Sequence, residues 1–335
     1  MKNAMMPVAE AAALIEAGKV LVVAGSEAAL SQLPKGCWIG GTSVYFMTDT
    51  GGREDRDNLF VTEIIAAEDA RPVFHAANDL PNLTMTRFDH GLSMILIPAF
   101  SAAHEAFALH GSRYPGLFDQ PLMGWVTGVP LDADESVTPK VFDGARGMAF
   151  EEGAMVLHVK LPAGRVAEID IVNLFEPDPS GDEITFAATG FSAQTALVNG
   201  REVDFARYLS ETGVETRCPL VANFAGARIN VSFQSVEPGK PVTFYAPVIE
   251  GVRYRVAKLP GDHASEFAAR VQGDGRRELS CNCILNYIYE ELEAKTTGSF
   301  TGPATFGEIA YMLLNQTMVR LHIGAAEATE ATAVA

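Results

Sequence analysis

Between Gln120 and Lys258 the chain reads as one strand after another, and this run limits the fold more than any other feature. Leu122 to Val129, Met155 to Leu161, Val166 to Phe175, Ile184 to Ala188, Arg228 to Val236 and Thr243 to Val256 are rich in β-branched and aromatic residues, and turn formers separate them. Asn199-Gly200 lies between Ala196-Leu197-Val198 and Arg201-Glu202-Val203, the short-range signal of a type I′ hairpin. Before residue 120 helices alternate with strands. Met1 to Gly18 reads as an Ala-rich amphipathic helix, Val20 to Ala24 as a buried strand, and Ser26 as the N-cap of a helix to Leu33. Cys37 to Met47 and Asn58 to Ile65 read as a strand pair, Gly91 to Pro98 as a buried strand, and Ser101 as the start of a helix that Gly111 ends after His110.

Pro and Gly gather in Tyr114-Pro115-Gly116 to Pro121, which predicts a linker and a boundary near residue 120. The expected architecture is α+β and two-lobed, with mixed sheets and flanking helices. An N-terminal α/β lobe would span 1–120. A sheet-dominated C-terminal lobe would span 121–324, with helices at Asp262 to Val271 and Asn282 to Ala294, and a flexible tail would span 325–335. With 335 residues, 48% of them hydrophobic, the chain can bury the core this requires.

Lys and Arg number 25 against 42 Asp and Glu, and the formal charge of -17 repels phosphate backbones and anionic lipid. Neither nucleic acid nor a membrane is therefore an expected partner. No signal-peptide pattern opens the chain, and Leu92 to Phe100, its longest strongly apolar segment, is too short to cross a bilayer. Four cysteines, Cys37, Cys218, Cys281 and Cys283, fit a reducing compartment, so a cytoplasmic location is expected.

Few residues spell out chemistry. His104 and His110 are six apart, about 240° around a helix, so they face different directions, and no metal site is expected. His104 reads as a surface or capping group. Cys281 and Cys283 share one face of a strand, and either line a core with small side chains or offer thiols for chemistry. Gly40-Gly41-Thr42-Ser43 is either a glycine bulge or a place where backbone and hydroxyls meet a small polar ligand. Hydrolase elbows, Walker loops and dinucleotide fingerprints are absent from the sequence.

These blocks, taken in order, resemble the pattern of FIST proteins, a family of sensory and signal-transduction modules. Trp38-Ile39-Gly40-Gly41-Thr42-Ser43 looks like that family's early strand and its Gly- and Ser/Thr-rich turn. Cys281-Asn282, Gly298-Ser299-Phe300 and Gly307-Glu308-Ile309 look like its later elements. The arginine common after the Cys element is missing from Cys283-Ile284-Leu285-Asn286, which removes an anchor for an anionic ligand group. The resemblance implies a stand-alone cytosolic protein that binds an amino acid or similar metabolite and acts as a homo-oligomer or through a separate signalling protein. Its pocket would lie between the lobes, lined by Gly41, Thr42, Ser43, Cys281, Asn282, Gly307 and Glu308, with no cofactor. An alternative is an enzyme with Cys281 or Cys283 as nucleophile and Glu308 or His90 as base. A lesser one is a haem-binding gas sensor, since some FIST-like proteins bind haem and seven histidines are available as axial ligands.

Overall fold

Every residue of the apolar run Leu21–Gly25 is buried, so this strand needs a partner on each edge and cover on both faces. The computed structural model, which describes residues 1–224, 227–258, 265, 266, 269 and 278–326, gives it both. Leu21–Gly25 lies inside a six-stranded sheet, here sheet I, in the order Lys2–Pro7, Asn58–Glu63, Leu21–Gly25, Trp38–Thr42, Val141–Asp143 and Met148–Phe150. It runs antiparallel to Asn58–Glu63 and parallel to Trp38–Thr42. The two segments expected to pair with each other are thus separated by a third strand. The expected helix over Met1 to Gly18 is also shorter than its pattern: Lys2–Pro7 pairs with Asn58–Glu63, and the helix α1 covers only Val8–Glu16. Pro7, which has no N–H to donate, stands at the changeover.

Sheet II runs Met312–Leu314, Glu308–Ala310, Leu122–Thr127, Gly91–Pro98, Ala154–Lys160 and Asp69–His75. Sheet III runs Arg165–Val172, Met318–Ala325, Glu278–Cys283, Phe300–Thr305, Tyr45–Thr48 and Gly51–Glu54. One apolar core unites the three, with Ile39 and Phe60 from sheet I, Met94 and Trp125 from sheet II, and Cys281 and Leu321 from sheet III. The architecture is mixed α and β, rich in sheet, and no sheet closes into a barrel. Ladders cross the expected boundary near residue 120, because Tyr45–Thr48 pairs with Phe300–Thr305. The described strands of the segment 184–256 instead pair with one another, forming a six-stranded sheet IV and a three-stranded sheet V around Phe186, Phe205, Phe233, Phe244 and Tyr254.

Other helices that cover these sheets are α2 (Glu27–Leu30), α3 (Ala102–His110), α4 (Phe205–Thr212) and α5 (Ile284–Tyr289). Ser26 and Ser101 cap α2 and α3 as their sequence positions predict, each accepting a backbone N–H. The Asn199-Gly200 turn has φ of 49° and 78°, joining Thr195–Val198 to Arg201–Asp204 in the expected register. Helix α4 has no counterpart in the sequence reading, although Asp204 caps it and Gly213 ends it at φ 65°. The helix expected over Asp262 to Val271 and the tail beyond Ala326 fall largely outside the described residues. Among the described residues no helix is long and apolar enough to cross a membrane.

Sheet IV is tied to the central sheets by a buried amide network. Asn173 Nδ2 donates to Asn230 Oδ1 at 2.8 Å, and Asn230 Nδ2 returns a bond to Asn173 Oδ1 at 3.1 Å and reaches the Asn315 carbonyl at 3.1 Å. Ser232 Oγ donates to Gln316 Oε1 at 2.7 Å. Asn230 is wholly buried, so Asn230→Ala strands several polar atoms away from water. We expect that variant to lose about 2–4 kcal/mol of unfolding free energy in urea denaturation.

Candidate functional site

All seven residues expected to line a pocket are buried. Gly41 lies on Trp38–Thr42, where a Cβ would stand 2.5 Å from Thr127 Cγ2 and 3.4 Å from Trp125 Nε1. Only glycine allows that approach. Thr42 Oγ1 accepts the Lys140 N–H at 2.9 Å, and Ser43 Oγ donates to the Ala304 carbonyl at 3.0 Å. The early block is therefore brought against the later one: Ser43 touches Phe300–Thr305, and Trp125, beneath Gly41, is the ladder partner of Glu308. The meeting is a packed seam. None of the seven lines either of the two cavities described below.

Glu308 is fully buried within that seam. Its Oε2 accepts the Thr317 hydroxyl at 2.7 Å and the Thr317 N–H at 3.2 Å, and its Oε1 lies 3.5 Å from Thr305 Oγ1. Burial pushes its carboxyl up to about 8, against the pull of the Thr317, Cys283 and Thr305 contacts. Glu308 is thus a neutral acid at pH 7. Thr305 has one hydroxyl hydrogen to share among the carbonyls of Asn282 and Gly307 and the Glu308 Oε1. Asn286 Nδ2 extends the network, donating to Asn282 Oδ1 at 3.0 Å and to the Thr317 carbonyl at 3.3 Å.

Cys281 and Cys283 face this carboxyl from Glu278–Cys283. Burial, and then the nearby Glu308, push both thiols well above the usual value of 9.0. Cys281 Sγ lies 3.4 Å from the Gly124 carbonyl, in the core. A thiol that is protonated and sealed from solvent is a poor nucleophile.

The feature the sequence reading missed is at the start of α3. His104, expected at the surface, is 7% exposed. The chain reaches α3 through Phe100, which adopts φ 63°, a left-handed conformation that costs a bulky residue about 1–2 kcal/mol. That bend aims the Phe100 N–H at His104 Nδ1, at 3.2 Å. Burial pushes the imidazole down to about 4, so it is neutral. With Nδ1 accepting, the hydrogen sits on Nε2, and Nε2 is buried without a partner. His104 borders a cavity of about 300 Å³ between the start of α3, with Phe100, Ser101 and Glu105, and the sheet V residues Phe191, Gln234, Phe244 and Tyr245. Phe191 meets the imidazole at a steep angle, with ring centroids 6.1 Å apart. No short-range pattern marks His104, because sheet V comes from a segment some ninety to a hundred and forty residues later in the chain.

Among the described residues no group of three or more His, Cys, Asp or Glu is placed to hold a metal ion. The chain belongs to a family of unknown function, DUF6976, whose model matches residues 6–324. No curated protein matches the chain.

The folded carboxyl of Glu308, raised from 4.5 to about 8, keeps a proton that the unfolded chain releases within that window. Stability should therefore be highest below about pH 4.5 as far as this group is concerned, fall as pH rises towards 8 by on the order of a few kcal/mol, and flatten above it. In urea titrations at several pH values, Glu308→Gln should remove that slope. In the native protein, a thiol reagent should reach the half-buried Cys37 first and label Cys281 and Cys283 at least about 100-fold more slowly than in denaturant, which mass mapping of the labelled peptides would read.

Proposed function

We propose that the protein binds a small molecule in a sensory role, and that the ligand occupies the cavity between α3 and sheet V. The observation that carries this reading is the His104 Nε2–H, a buried donor with no partner, bordering an aromatic-walled space. An unpaired buried donor is costly, and a ligand oxygen would relieve that cost. Phe100, Phe191, Phe244 and Tyr245 suit an apolar body, His104 suits a carboxylate or carbonyl oxygen, and the exposed Glu105 at the rim suits an ammonium group. An amino acid with an apolar side chain, or a metabolite built like one, combines the three. The order of the FIST-like blocks supports the sensory part of the reading, although none of their residues lines the cavity.

The geometry gives less support to the other readings. The thiols needed for covalent catalysis are buried and protonated. For haem, the one imidazole at the cavity presents a hydrogen on Nε2 rather than the lone pair that iron ligation requires.

Thermal melts with L-phenylalanine, L-leucine, L-lysine and L-glutamate test the proposal. At about ten times its Kd a ligand adds about 1.4 kcal/mol, a rise of roughly 2–3 °C, which we expect for the apolar amino acids. His104→Phe should abolish the rise while its circular dichroism stays native. Equal melts with and without every compound at millimolar concentration would refute the reading.

A further inference from the structure

A second cavity, of about 210 Å³, opens between sheets I and III and shares no lining residue with the first. Two of its walls carry buried polar groups that have no partner among the described residues. Asn3, on Lys2–Pro7, has neither Nδ2 nor Oδ1 in a hydrogen bond, and Thr301, on Phe300–Thr305, has no partner for its hydroxyl. Each is only 5% exposed, and they reach the cavity from different sheets. The other polar neighbours, Thr48, Asp49, Thr50 and Arg53, each have an interaction within the protein. Thr48 Oγ1 donates to the Gly51 carbonyl at 2.7 Å and lies 3.1 Å from Thr50 Oγ1, and the Arg53 guanidinium is paired with the buried carboxylate of Asp55. The cation at this site is thereby balanced by the protein itself, which leaves little attraction for an anion. Phe60 supplies an apolar floor.

We propose that this cavity is a binding site for a small uncharged molecule carrying a hydrogen-bond donor and an acceptor side by side, as a carboxamide or a vicinal diol does. The Asn3 amide would make a paired donor-acceptor contact with such a group, and Thr301 would close the third bond. The site is independent of the cavity at His104.

Saturation-transfer NMR with acetamide, glycerol, acetate and tert-butanol, each at millimolar concentration, tests the assignment. Transfer to acetamide and glycerol, reduced at least tenfold by Asn3→Leu and by the near-isosteric Thr301→Val but unchanged by His104→Phe, would support it. Thr301→Val keeps the test valid if Asn3→Leu fails to fold. Acetate binding as strongly as acetamide, signals that survive both variants, or no binding by any probe would overturn it, the last outcome leaving the cavity to ordered water.

Discussion

Sheets II and III meet around a single buried carboxyl. Glu308 belongs to sheet II, yet its oxygens are met by Thr317 and Thr305 of the segments that form sheet III. As an ion it would be stranded in an apolar core, whereas as a neutral acid it carries no charge to compensate. The thiols of Cys281 and Cys283 tolerate this neighbour because they too stay protonated. Sheets II and III can therefore meet through a polar seam without an uncompensated charge.

The positions of both cavities follow from how the sheets are joined. Sheets I, II and III share one apolar core. The 184–256 unit has its own core, attached through the Asn173–Asn230 network and the side of α3. Where two separately packed bodies touch, surfaces need not interdigitate fully, and the space between α3 and sheet V is of that kind. The space beside Asn3 lies at the margin where the first strand of sheet I faces sheet III. Backbone strain appears at the first of these places: Phe100 accepts a left-handed conformation that fixes the tautomer of His104.

Much of the secondary structure was legible from local pattern. Apolar runs marked Leu21–Gly25, Gly91–Pro98, Leu122–Thr127 and Ala154–Lys160, Ser26 and Ser101 marked helix starts, and Asn199-Gly200 marked a hairpin. Pairing was less legible. Leu21–Gly25 inserts between the two segments that looked like partners, and Tyr45–Thr48 leaves its sequence neighbours to pair with Phe300–Thr305. Periodicity reports which face of a strand is buried but not which strand covers its edge. The candidate site was legible only in part. The 41–43 and 281–308 blocks do meet, but in a sealed seam rather than an open pocket, and His104, a surface or capping group by its spacing, is buried.

Composition and pattern alone settled that this chain is sheet-rich with mixed α and β structure and able to bury a large core, since those properties depend on neighbours a few residues apart. Tertiary structure decided the rest, because each decisive contact joins segments far apart in the chain: Glu308 needs Thr317 and the strand of Trp125, and His104 needs the sheet V aromatics. Burial of a polar group is a property of everything packed around it, and for Glu308, His104 and Asn3 it is burial that turns an ordinary side chain into a proton holder, an unpaired donor and an unpaired amide.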